Sequence, residues 1–202
     1  MIKMNILFCM YRTVFIPELS EDAIYNDLWP GFREDYLLLH SLLRLFKPKR
    51  VMEIGTHLGR GTKIIKNAVG PDSQVFSLDL PPDIGPTTGT EYQPGQVGSQ
   101  CDLPYTQLWG DSRTFDFSPH YPIDAFYVDG EHVYDNVYKE SVSVIRAKPA
   151  LAIYHDSEDW GVFKGICDAY FATEEMAREF VLYRVIDTRI MFVLRKDVPW
   201  PR

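Results

Sequence analysis

The chain has 202 residues, enough for one domain with short additions and a proper hydrophobic core. Its 46% hydrophobic and 24% charged content is ordinary for a globular protein, and a net charge of −7 without basic clusters argues against a nucleic-acid partner. No apolar run approaches the roughly 18 residues of a membrane span. The three cysteines, Cys9, Cys101 and Cys167, show neither CxxC nor Cys/His metal spacing, which fits a reduced, cytoplasmic setting.

Residues 1–31 read as an N-terminal arm and short helix, and residues 32–202 as the main domain. Within the arm, Asn5 to Cys9 suits a short strand and Val14 to Ile16 an extended stretch; Tyr11 and Arg12 interrupt its apolar character and no small-residue cleavage site follows, unlike a signal peptide. Such an arm packs on its own domain or on a partner subunit, so a homodimer is one expectation. Ser20 is placed to cap a helix over Glu21–Leu28, which Trp29-Pro30-Gly31 breaks. Phe32 to Phe46 is a helix with Leu38, Leu39, Leu42, Leu43 and Phe46 on one face, ended by Pro48.

From there strands and helices alternate. Strands are expected at Arg50–Ile54, Gln74–Leu80, Thr106–Gly110, Ile123–Asp129 and Leu151–His155, with helices at Gly61–Val69, Val133–Ala147 and Asp159–Phe171. This alternation builds βαβ units and a parallel sheet with helices on both faces. Two departures are informative. Pro81 to Pro104 is rich in Pro, Gly and Thr without periodicity, the mark of a long loop over the carboxyl edge of the sheet. At the other end, Phe180–Ile186 and Ile190–Lys196 are separated only by Asp187-Thr188-Arg189, a hairpin and hence antiparallel pairing. The expected fold class is α/β: a doubly wound, mostly parallel seven-stranded sheet with a C-terminal antiparallel hairpin.

The carboxyl ends of the strands carry the chemistry. Glu53, Asp79, Asp111, Asp129 and Asp156 each end or follow a successive strand, so a parallel sheet lines them along one edge, where ligands of such folds collect. Crowded like charges repel, and a donor-rich ligand, with or without a metal ion, would relieve them. Gly55 and Gly59 allow the backbone after the first strand to approach a ligand closely. Asp79 suits ribose hydroxyls, and Gly110-Asp111-Ser112 suits an adenine, Asp111 accepting from its amino group. In Val128-Asp129-Gly130-Glu131-His132, the glycine permits a sharp turn that projects Asp129, Glu131 and His132; Tyr154-His155-Asp156 lies on the neighbouring strand. Asp129 and Asp156 could share a hard divalent ion through oxygen, and Glu131 or His132 could take a proton from a substrate hydroxyl.

The ordered set resembles a known family. Glu53-Ile54-Gly55-Thr56-His57-Leu58-Gly59 is similar to the E-x-G-x-x-x-G first motif of S-adenosylmethionine (SAM)-dependent methyltransferases, and Phe76-Ser77-Leu78-Asp79 to their acidic second motif. Leu108-Trp109-Gly110-Asp111-Ser112, the run Asp129-Gly130-Glu131-His132-Val133-Tyr134 and the pair His155-Asp156 resemble a branch that includes small-molecule and sugar O-methyltransferases and cephalosporin-hydroxylase-like proteins. The resemblance spans about residues 33–197 and implies a Rossmann-like methyltransferase fold. It implies that Glu53, Gly55, Thr56 and Gly59 hold the methionine part of SAM, Asp79 and Leu80 its ribose end, and Gly110, Asp111 and Ser112 its adenine. It also implies that Asp129, Glu131 and His132 act in catalysis, with Asp129 and Asp156 as Mg²⁺ ligands in the metal-dependent members. Here the neighbours of Asp156 are His155 and Ser157, where the metal-dependent pattern has a second acid, so metal-assisted and metal-free arrangements both stay open. An NAD-dependent oxidoreductase would carry G-x-G-x-x-G, which is absent; a non-catalytic binding module on the same fold would not need the intact row of acids.

Overall fold

The computed structural model describes residues 6–10 as a strand, and residues 32–82, 84 and 95–199. The expected helix at Glu21–Leu28 with its Ser20 cap, the extended stretch at Val14–Ile16, and residues 83 and 85–94 of the Pro81–Pro104 loop lie outside the described residues.

The elements run β1 (Ile6–Met10), α1 (Arg33–Phe46), β2 (Arg50–Ile54), α2 (Arg60–Val69), β3 (Gln74–Asp79), β4 (Thr106–Trp109), β5 (Ala125–Val128), α3 (Tyr134–Ala147), β6 (Leu151–Tyr154), α4 (Trp160–Tyr170), α5 (Glu174–Glu179), β7 (Phe180–Ile186) and β8 (Met191–Arg195). They form one sheet in the order β1-β7-β8-β6-β5-β2-β3-β4. Pairing is parallel from β4 through β6, and antiparallel for β6 with β8 and β7 with β8. The seven expected strands and their terminal hairpin are all present, and the arm adds an eighth: β1 lies parallel to β7, Ile6 opposite Leu182. The short helix α5 follows Thr173, whose hydroxyl accepts from the Met176 amide at 3.1 Å; six residues give too short a period to read from apolar spacing.

Local chemistry sets the boundaries. Helix α1 ends where Lys47 turns left-handed and donates its amide to the Leu43 carbonyl at 2.8 Å, and Pro48 bars continuation. Apolar side chains then fill two layers. On one face of the sheet, Leu38, Leu39, Leu42 and Leu43 of α1 and Ile64 and Ile65 of α2 pack on Val51, Val75, Ala125, Tyr127, Leu151 and Ile153. On the other, Val137, Val144 and Ile145 of α3 and Val162 and Ile166 of α4 pack on Met52, Ile54, Leu78, Phe126, Val128 and Tyr154. The alternation is that of strands buried on both sides, and truncating any one of these leucines would cost about 2–5 kcal/mol.

The order of the parallel strands reverses between β2 and β5. Loops leaving these two strands diverge to opposite faces, opening a crevice at their carboxyl ends. The functional residues gather there.

Candidate active site

A cavity of about 320 Å³ fills that crevice. Its first wall is the loop after β2. Gly55 adopts φ +94°, and a Cβ there would fall 2.1 Å from the Asp129 carbonyl oxygen, so only glycine lets the two loops touch. His57, also left-handed at φ 46°, donates its amide to Asp79 Oδ2 at 2.7 Å, while Leu80 donates to Asp79 Oδ1 at 2.7 Å. Asp79, Leu80 and Gly55, all candidates from the sequence, line the cavity together with His57, which was not one.

Glu53, Thr56 and Gly59 are placed differently. Side chains alternate along a strand, so Glu53 shares the face of Val51 and points beneath α2. Its Oε2 accepts from Thr62 and Ser77 hydroxyls, each at 2.5 Å, and its Oε1, facing Gly61, has no partner among the described residues. Full burial pushes its pKa up to about 8, against the pull of those two hydroxyls. Thr56 is buried with its hydroxyl 2.6 Å from that of Ser77. Gly59 is the left-handed N-cap of α2, packed on Gly98. These three hold the shape of the loop from behind and do not line the cavity.

The second wall is the turn after β4. Gly110, Asp111, Ser112 and Arg113 all line the cavity. The Asp111 carboxylate is engaged by Arg113, Nε at 2.7 Å from Oδ1 and Nη2 at 2.5 Å from Oδ2, and this pairing holds its pKa below the usual carboxylate range. Ser112 donates its hydroxyl hydrogen to Oε1 of Glu140, a residue the sequence reading missed. Glu140 sits on the buried face of α3 beside Val137, Ser141 and Val144 and also lines the cavity. Burial pushes its pKa up to about 7. Its signal was available: a carboxylate interrupting an amphipathic helix's apolar stripe needs a local reason.

The third wall, after β5 and β6, brings Asp129, Glu131, His132 and Asp156 together. Asp129 Oδ2 accepts from the Tyr127 hydroxyl at 3.0 Å. Exposed His132 places Nε2 3.1 Å from Asp156 Oδ2, and this bond raises the imidazole pKa above its ordinary value. Glu131 Oε2 accepts from the Asn136 side-chain amide at 3.3 Å and is drawn aside.

Beneath these groups lies His155. Its Nε2 is 3.2 Å from Asp35 Oδ2, and its Nδ1 lies 3.2 Å from Asp129 Oδ1 and 3.1 Å from Asp156 Oδ2. Burial alone would depress its pKa, but the carboxylates of Asp129, Asp156 and Asp35 outweigh it and hold the imidazole protonated. The two histidines in turn hold the Asp156 carboxyl well below the usual range despite its burial. Arg189, from the hairpin turn, donates its backbone amide and Nε to Asp35, each at 2.8 Å, and lays its guanidinium 3.6 Å from the Phe32 ring centroid. Phe32 and Tyr36 stack near His155 at 6.0 and 6.5 Å. Asp35 and Arg189 are 154 residues apart, and no local motif announces the pair.

Ligand atoms of Asp129, His132 and Asp156 all lie within 4.8 Å of one another, so these three could hold a metal ion. Two oxygens and one imidazole nitrogen suit a divalent cation in the Mg²⁺ to Mn²⁺ range with water completing the shell.

No protein-family model and no curated protein matches the sequence. Solved structures do. The MycE methyltransferase of the mycinamycin biosynthetic pathway, crystallised with Mg, S-adenosylhomocysteine (SAH) and mycinamycin VI, is 19% identical at a TM-score of 0.59 over 90% of this chain; the chain spans only 55% of that protein's length. An O-methyltransferase from Bacillus cereus in complex with SAH is 14% identical, TM-score 0.57, over 92% of this chain and 100% of the other. The O-methyltransferase TomG from Streptomyces achromogenes, in complex with SAM, is 16% identical, TM-score 0.54, over 87% and 90%. At these identities the likeness is one of architecture, and the chain has the Rossmann-like fold that these methyltransferases share.

Proposed function

We propose that the chain is a SAM-dependent O-methyltransferase acting on a small hydroxylated substrate, a sugar-bearing one among the candidates, with residues 32–202 as the catalytic domain and residues 1–31 as its arm. One observation carries the reading: a single cavity joins the glycine loop, Asp79-Leu80 and Gly110–Ser112 on one side to Asp129, His132 and Asp156 on the other. Its volume of about 320 Å³ falls in the range of small-molecule sites, roughly 300–1,000 Å³. The similar proteins bound to SAM, SAH and Mg support the same assignment.

The cofactor, when bound, supplies an electrophilic methyl group on a sulfonium centre. The chain's share is placement and proton transfer. Asp79, fixed by two backbone amides, offers its remaining lone pairs to ribose hydroxyls. The acidic edge favours a cationic ligand over its neutral product, which eases release. His132 takes the acceptor's hydroxyl proton as its oxygen forms the new bond to carbon and the old carbon–sulfur pair stays on sulfur. Asp156 orients that imidazole and stabilises it once protonated. Alignment of acceptor oxygen and methyl group is worth up to roughly 7–11 kcal/mol, and a positioned base about 10²–10⁴-fold. A divalent cation at Asp129, His132 and Asp156 would instead orient the acceptor oxygen and lower its pKa, and the base would then be Glu131.

Among the described residues Cys101 and Cys167 are free thiols, which supports a cytoplasmic setting, and no helix is long and apolar enough to cross a membrane. Calorimetry with SAM and SAH, with and without Mg²⁺, tests the proposal. Micromolar binding is expected; heat with NADH and none with either sulfur nucleoside would replace it with an oxidoreductase. Binding without methylation of any hydroxylated acceptor in a broad screen would favour a non-catalytic module.

A further inference from the structure

Burial of Glu140 on the cavity wall has a consequence for which base the site accepts. Glu140 is fully buried, its Oε1 takes the Ser112 hydroxyl hydrogen, and its Oε2 has no partner among the described residues. The same Oε1 lies beneath Gly130, where an added Cβ would approach it to 3.1 Å, so the carboxyl is clamped between the turn after β4 and the turn after β5. In the carboxylate form, which it takes as pH rises through about 7, Glu140 only accepts hydrogen bonds. The hydrogen of Ser112 is therefore committed to Glu140, and Oγ faces the cavity with lone pairs alone. The other charged groups of this wall are turned largely toward one another. Asp111 is held by Arg113 through both oxygens, and Arg113, which would otherwise favour a carbonyl ligand, uses Nε and Nη2 on Asp111 and Nη1 on Asn136 at 3.4 Å.

Resting on the methyltransferase reading, we infer that Glu140 is a specificity-determining residue: by fixing Ser112 as an acceptor-only group, it makes the nucleoside end of the cavity select a 6-amino purine over a 6-oxo purine. An exocyclic amine donates to Ser112 Oγ and completes a chain of hydrogen bonds from amine to hydroxyl to carboxylate. A 6-oxo group would set one acceptor against another in a water-poor site, and such mismatches discriminate strongly. Glu140 acts through Ser112 and need not touch the ligand.

The test is calorimetric titration of the full chain, on the alkaline side of the Glu140 pKa of about 7, with SAH and with S-inosylhomocysteine, its 6-oxo counterpart. The wild-type protein should prefer SAH by at least about tenfold. Glu140→Met frees the Ser112 hydroxyl to donate and should bring the two affinities within about threefold of each other, whereas Glu140→Gln, which keeps an acceptor oxygen, should retain most of the preference. Should the buried methionine unfold the chain, Ser112→Ala, at a half-buried position, should erase the preference alone. Equal wild-type affinities, or an unchanged ratio in Glu140→Met or Ser112→Ala, would overturn the inference and leave the methyltransferase reading standing. Failure of the wild-type protein to bind either nucleoside would bring down both.

Discussion

The two halves of the carboxyl edge neutralise their acids in different ways. In the half built by β2, β3 and β4, Asp79 is held by two backbone amides and Asp111 by a guanidinium, partners that do not titrate near neutral pH. In the half built by β5, β6 and the hairpin turn, Asp129 and Asp156 share two imidazoles, one buried and one exposed. The first half is a cradle of fixed charge, suited to holding a ligand. The second is built to move a proton, and among the described residues it gathers three ligand atoms close enough for a metal ion. The division predicts that binding and chemistry separate when one half is damaged.

The largest expected effect tests that separation. His132→Ala should lower kcat by about 10²–10⁴-fold while leaving SAH affinity nearly unchanged, since His132 lies in the chemical half. Methyl-transfer rates on an acceptor found by screening, read beside calorimetry, check it; a parallel loss of SAH binding would merge the two halves.

Asp35→Ala comes next. It removes the buried carboxylate that His155 and Arg189 share, leaving His155 to Asp129 and Asp156 and Arg189 to Asp156 and Glu158 at 3.6 and 3.8 Å, and should cost up to about 3–5 kcal/mol of stability in thermal or denaturant unfolding. Asp79→Asn in the other half keeps an oxygen for one of its two amides and should cost only about 0.5–2 kcal/mol. Similar losses would erase the contrast.

Gly55→Ala probes the seam where the halves meet. A Cβ 2.1 Å from the Asp129 carbonyl must push β2 and β5 loops apart, at a cost on the order of 2–4 kcal/mol. Gly70→Ala, at φ +78° and ψ −179° with nothing within 4 Å, meets no clash and should cost only the backbone strain of that glycine region, about 1–3 kcal/mol.

Much of this was legible in the residues. Leu38 to Phe46 announced α1, alternation announced the parallel sheet, and the short Asp187-Thr188-Arg189 link announced the hairpin. Asp79, Gly110, Asp111, Ser112, Asp129, His132 and Asp156 do line one cavity, because parallel strands bring their carboxyl ends to one edge. What stayed hidden depends on facing and distance. Glu53 ends a strand that is buried on both sides, so its sequence position does not say whether it meets ligand or α2. Asp35 and Arg189 meet across most of the chain, and a first-turn acid on a helix reads as ordinary capping charge.

Glu53 also carries a pH signature. Its carboxyl is protonated in the fold up to about 8, well above its ordinary value of 4.5. Between those values the folded state keeps a proton that the unfolded state has lost, so stability falls as pH rises through this window, by an amount on the order of a few kcal/mol. In Glu53→Gln that slope should shrink. Melting temperatures from pH 5 to 8 decide it; equal slopes in both proteins would mean Glu53 is ionised in the fold.

The smallest expected effect on stability falls at the mouth of the chemical half. Trp160 is 70% exposed and stacks on Phe163, Val133 is 57% exposed and follows His132 in the chain, and a Cβ added at Gly161 would fall 2.6 Å from the His132 carbonyl, so the start of α4 lies against the His132 backbone. Exposed aromatic surface beside a proton-accepting group is suited to hold the apolar face of an acceptor while its hydroxyl reaches His132. Trp160→Ala should change unfolding free energy by no more than about 0.5 kcal/mol. It should leave SAH affinity alone and raise KM for the acceptor with kcat little changed, the pattern of a lost contact made equally in ground and transition states. A fall in SAH affinity would mean that Trp160 serves the cradle instead, and the line between the two halves would have to be redrawn through α4.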